Sequence, residues 1–210
     1  MFDNIRSRFF PHALHNSVSV VSVDHETFWR AVETIPPEEG PFAPSASLGH
    51  YAPPEGQAAQ STLLRQAARA NHEEYLLLLD ECKRCVGWSY GRMRDVRTFL
   101  MAHSAVVRPR QREGLYTALL GVLLPYLRVL GYERVTSNHM VTNRAVLIAK
   151  LKAGFIISGM ALDERFGAQV SMTYFFDEER RQGFAHAYSV EHYPDTPEYH
   201  EDETGRPGRH

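Results

Sequence analysis

Gln111, Arg112, Glu113, Gly114, Leu115 and Tyr116 are the residues whose order most clearly carries chemistry. An extended stretch ends at Val107, and an apolar periodic stretch begins at Leu115. Leu115, Ala118, Leu119, Val122, Leu123, Tyr126 and Leu127 recur at i, i+3 and i+4, the period of one buried helical face. A glycine at a strand-to-helix join lets the backbone turn tightly. Consecutive N–H groups, through Leu115, Tyr116 and Thr117, then point out at the helix N-terminus and suit a phosphate or pyrophosphate. The same residues also fit an ordinary strand–helix connection. Other reactive side chains are less organised. Cys82 and Cys85 form a C-x-x-C on an expected hairpin turn with no second cysteine pair, and His192, His200 and His210 are scattered among carboxylates. Neither set predicts a metal centre.

The elements that would position this turn follow from the flanking sequence. Residues 98–107 (TFLMAHSAVV) read as a strand leading into it, and 134–139 as the strand after its helix. Asn143 opens a second helix through Leu147, Ile148, Lys150 and Leu151 that stops at Gly154-Phe155. Asparagine suits the N-cap and glycine the left-handed position beyond the C-terminus.

In this order the two motifs resemble those of the GNAT superfamily of acyl-CoA N-acyltransferases. Gln111 and Gly114 match its Q/R-x-x-G-x-G/A signature, and Asn143 to Gly154-Phe155 has the spacing of its following helix. Tyr116 stands where the family has a small residue, and the loop before Gln111 is one residue short. The resemblance covers roughly residues 75–176, and more loosely the chain from residue 17.

The resemblance implies an α/β (α+β) fold: a mixed, mostly antiparallel central sheet, helices on both faces, and one parallel strand pair that splays apart. Acetyl-CoA would be the acyl donor, with no metal. Its pyrophosphate would lie on Gln111, Arg112, Glu113, Gly114, Leu115, Tyr116 and Thr117, and its pantetheine would lie in the splay near Val106, Val107, Asn138 and Asn143. The N–H of Val106 or Val107 would hold the tetrahedral oxyanion. A primary amine, on a small molecule or peptide, would attack directly in a ternary complex, with a homodimer as one assembly to consider. His103, on the strand lining the cleft, is the candidate base, since an unperturbed imidazole titrates near ~6.5; it is otherwise a packed or exposed strand histidine. The family's tyrosine acid, seven residues after the asparagine, is replaced by Lys150. A lysine in a dry cleft could protonate a thiolate; as a solvated charge or phosphate contact it would leave the thiolate to depart unassisted. The missing tyrosine keeps a second function open, a catalytically inactive GNAT-fold module that binds coenzyme A or a protein partner.

Composition bounds these expectations. The 210 residues, 43% hydrophobic, can bury one substantial core. A net charge of -2 gives no reason to expect nucleic acid or an acidic membrane surface. No apolar run approaches the ~20 residues of a membrane span, and the N-terminal stretch lacks the apolar core of a secretory signal. A cytoplasmic location is therefore expected. The domain is expected over 17–187, with an N-terminal extension over 1–16 and a disordered acidic tail over 188–210.

Along the chain, 17–24 reads as the first strand and 25–35 as a helix ended by Pro36-Pro37. A proline- and glycine-rich loop over 36–60 is expected to help form the acceptor pocket, and 61–71 is expected to be helical. Hairpins are expected over 74–80 with 84–94 and over 156–162 with 169–176. A short polar segment, 177–187, follows.

Overall fold

A computed structural model describes residues 2–40, 71–164 and 166–188. Most of the loop expected over 36–60, nearly all of the helix expected over 61–71, and the tail from residue 189 lie outside them. The chain divides into two compact units, Met1–Phe176 and Asp177–His210.

The first unit is built on one sheet. Its strands are β1 (His12–Ala13), β2 (Ser19–Ser22), β3 (Glu73–Leu79), β4 (Cys85–Asp95), β5 (Thr98–Val106), β6 (Arg134–Met140), β7 (Ile156–Asp163) and β8 (Gly167–Phe175). They lie in the order β1-β2-β3-β4-β5-β6-β8-β7, and every neighbouring pair is antiparallel except β5 with β6. That exception follows from the helix between them, α3 (Leu115–Val129), which carries the chain back for a parallel return. Earlier helices are α1 (Phe2–Phe9) and α2 (His25–Glu33), the latter capped by the Asp24 carboxylate on Thr27 N–H. After β6 comes α4 (Arg144–Lys152).

Strand alternation puts these helices on opposite faces. Tyr75 packs against Phe28 and His25 of α2. Its neighbour Glu74 points the other way, to Arg6 of α1 and Tyr126 of α3. The periodic face of α3 is buried as its spacing predicts, at Leu115, Leu119, Val122, Leu123, Tyr126 and Leu127, with Leu120 and Leu124 widening it. Truncating a leucine of this face to alanine would cost about 2–5 kcal/mol.

Residues 2–16 are tied into this unit. Phe9 and Phe10 pack on the Tyr126 ring, and Phe2 stacks on His72. Glu74, 1% exposed, takes hydrogen bonds from Arg6 (2.9 Å), His72 (2.9 Å) and Tyr126. Burial alone would raise its carboxyl pKa; those hydrogen bonds together hold it below the ordinary range.

The second unit holds α5 (Glu178–Tyr188), in which Arg181 pairs with Glu178. Among the described residues no helix is long and apolar enough to cross a membrane.

Candidate active site

The parallel pair supplies the site by failing to continue. β5 and β6 pair only from Thr98–Arg134 to Leu100–Thr136, although β5 runs on to Val106 and β6 to Met140. A bulge in β5 accompanies the parting: Gly91 faces Met101, but Tyr90 faces His103, leaving Ala102 as the extra residue. A bulge bends its strand and increases local twist. Phe99 packs over Gly91 beside it, where any Cβ would collide with the ring.

The bulge also decides which side chains face which way. Phe99 and Met101 lie on the α3 face, and His103 lies on the α2 face with Tyr90 and Trp88. Trp88 Nε1 donates to His103 Nδ1 at 2.8 Å, and the two rings stack at 5.8 Å. Indole is only a donor, so Nδ1 is the accepting nitrogen and the ring's proton sits on Nε2. Burial lowers the His103 pKa further from its ordinary value. The base expected from the sequence thus has its Nδ1 lone pair committed to Trp88.

At the end of β5 the backbone is sorted the same way. Val107 N–H donates to Val86 O at 3.0 Å on the β4 side. Strand alternation turns the N–H and C=O of Val106 toward β6, and that C=O accepts from the Gln111 amide at 3.1 Å. Of the two backbone donors expected at this point, only that of Val106 is directed into the fork.

The turn expected over 111–116 forms through a short 3-10 helix, Arg108–Arg110, and two left-handed residues, Arg112 (φ 67°) and Gly114 (φ 78°). Gly114 is the N-cap of α3, so the N–H groups of its first turn, from Leu115 on, open outward. Donors so placed suit an anionic group, and the Glu113 carboxylate lies beside them. Glu113 is paired with Arg110 at 2.9 Å and held by Asn16 at 3.2 Å. Its C=O accepts from His15 Nε2 at 2.6 Å. The β1–β2 turn therefore braces the loop, a contact for which the sequence carried no signal. Tyr116 is half-buried against the core, and burial raises its phenol pKa.

Lys150 lies at the crotch of the fork with 0% exposure. Its Nζ donates to Ser137 Oγ of β6 at 2.6 Å, approaches Met101 Sδ of β5 at 3.6 Å, and sits 4.2 Å above the Phe155 ring. No carboxylate of a described residue is within ion-pair reach. Burial brings its pKa down to about 7. The lysine is thus neither a solvated charge nor an exposed phosphate contact. Gly154 (φ 94°) ends its helix and directs Phe155 inward beneath the ammonium.

The two asparagines have structural duties. Asn143 caps α4 by accepting from Val146 N–H at 3.4 Å, and Asn138 accepts from Ser171 of β8 at 2.9 Å, on the face of β6 opposite Ser137. Ser137, His139, Trp88, His15 and Asn16 were not singled out from the sequence. Ser137 and His139 could have been found by alternation, because both share the Val135 face of β6 that meets Phe99.

No family model and no curated relative matches the sequence. Solved structures match the fold. Spermidine/spermine N-acetyltransferase SpeG from Vibrio cholerae is 14% identical over 78% of this chain and 95% of its own, with a TM-score of 0.54. A candidate acetyltransferase from Acinetobacter baylyi is 17% identical over 76% of this chain and 93% of its own, with a TM-score of 0.57. The chain has the fold of the GNAT acetyltransferases.

Proposed function

We propose that this chain moves an acetyl group from acetyl-CoA to a primary amine by direct attack in a ternary complex. The observation that carries the reading is the parting of β5 and β6 beyond Leu100 and Thr136, with Lys150 enclosed where they separate. The pyrophosphate lies on the first N–H groups of α3, and the pantetheine amides lie along the strand edges that the parting leaves open. Val106 N–H stabilises the oxyanion. Lys150, with a pKa near 7, is the store of the proton that the departing thiolate takes. The incoming amine gives up its proton to solvent, since the His103 lone pair is held by Trp88. Solved structures of the same fold include spermidine N-acetyltransferases, which is in keeping with an amine acceptor.

The test is the initial-velocity pattern with acetyl-CoA and an accepted amine varied together. Intersecting double-reciprocal lines agree with direct attack, and parallel lines would require an acyl-enzyme. The same His103–Trp88 contact favours a second reading, a GNAT-fold module that binds coenzyme A or a protein partner without turnover. It predicts calorimetric binding of coenzyme A and no acceptor-dependent release of thiol.

A further inference from the structure

Lys150 has 0% exposure, so its Nζ cannot meet a thiolate in the cleft directly. Its contacts continue outward. Ser137 Oγ, 2.6 Å from Nζ, is also 3.0 Å from His139 Nε2. Ser137 is 1% exposed, whereas the next residue of that face, His139, is only half-buried and lies on the part of β6 no longer paired with β5.

The three groups have one hydrogen-bond order for each state of the lysine. With Lys150 charged, Nζ donates to Ser137, the Ser137 hydroxyl donates to His139 Nε2, and His139 carries its proton on Nδ1. With Lys150 neutral, Ser137 donates to Nζ, His139 Nε2–H donates to Ser137, and Nδ1 becomes an acceptor. We propose that Lys150, Ser137 and His139 are a proton relay whose outer end, His139 Nδ1, protonates the departing thiolate. The proposal rests on the acyl-transfer reading above.

In the step, the Nδ1–H bond breaks and an S–H bond forms. His139 Nε2 takes the Ser137 proton, Ser137 takes one from Lys150, and the lysine is left neutral. The same chain run backwards reloads it from solvent. Burial and the neighbouring lysine charge hold the His139 pKa down to about 3, so the ring passes a proton on without resting as a cation. Of the titratable groups on the surrounding elements, His103 of β5 faces the opposite side of the sheet. Tyr116 of α3 and Tyr174 of β8 make no hydrogen bond to Nζ, and Arg144 and Lys152 are exposed on α4 itself.

The test is ring nitrogen NMR of His139 in the full chain between about pH 5.5 and 8.5, with kcat measured on the same variants. The relay predicts a change from Nδ1–H to Nε2–H with a midpoint near 7, lost in Ser137→Ala and kept in Ser137→Thr. It also predicts that kcat falls at least about tenfold in Ser137→Ala, with KM for acetyl-CoA unchanged, and recovers in Ser137→Thr. One tautomer throughout in the unsubstituted chain, or full kcat in Ser137→Ala, would overturn it. Absence of amine-dependent thiol release from the unsubstituted chain would sink the acyl-transfer reading instead, and the tautomer measurement would still decide whether the chain of groups conducts.

Discussion

Replacing Lys150 with methionine should stabilise the protein while impairing it. Methionine has similar length and an apolar end, and it leaves Ser137 its second partner, His139 Nε2 at 3.0 Å. The lysine is held from an ordinary 10.5 to about 7, a depression worth on the order of 4–5 kcal/mol against the charged form. The sign follows from proton counting. Between pH 7 and 10.5 the unfolded chain binds this proton and the folded chain does not, so stability from this group rises with pH and is lost as pH falls through about 7. After losing the contact to Ser137, Lys150→Met should gain about 2–4 kcal/mol near pH 7, and the gain should fade as pH approaches 10.5. Denaturant titrations of both proteins across this range provide the assay, since titrating groups not coupled to Lys150 cancel in the difference and His139, which is coupled to it, is held neutral over most of the range. A substituted protein less stable at pH 7, or a stability difference flat with pH, would refute the burial argument. Amine-dependent turnover should fall with the same substitution, the usual opposition of stability and activity at a site.

Three further outcomes are expected. Gly114→Val should weaken coenzyme A binding at least about tenfold by calorimetry, because its φ of 78° is strained for a β-branched residue and a Cβ would lie 3.3 Å from His15 Nε2. His103→Ala should lower kcat by less than about tenfold with an unchanged pH profile, whereas a loss near 10²-fold would restore it as the base. Arg6→Met should shift acid unfolding to higher pH. The buried Glu74 carboxylate contributes stability that is present above its unfolded pKa and lost as pH falls through its depressed folded pKa, and Arg6 supplies part of that depression.

The order of elements along the chain from residue 73 to 175 and the turn were legible because they rest on local signals. Period-3.6 spacing from Leu115, an asparagine opening α4, and glycine at 114 and 154 each fix a backbone state without reference to distant residues. The side-chain chemistry was less legible because it depends on strand facing. One bulge residue, Ala102, turns His103 from the Met101 side to the Trp88 side, and no propensity encodes such a slip. The enclosure of Lys150 likewise depends on Phe155, Met101 and Ser137 from three other segments. The role of residues 2–16 was equally hidden, since Arg6 meets a carboxylate 68 positions away and His15 a carbonyl 98 positions away.

The central claim is that the fork between β5 and β6 performs acyl transfer, and amine-dependent release of coenzyme A thiol from acetyl-CoA tests it most directly. Assayed over a panel of primary amines with the full chain, the account predicts release that saturates with at least one amine, yields the acetylated amine in equal amount, and collapses in Gly114→Val. Thiol release no faster than the amine-free background for every amine, from a protein that still binds coenzyme A, would contradict it.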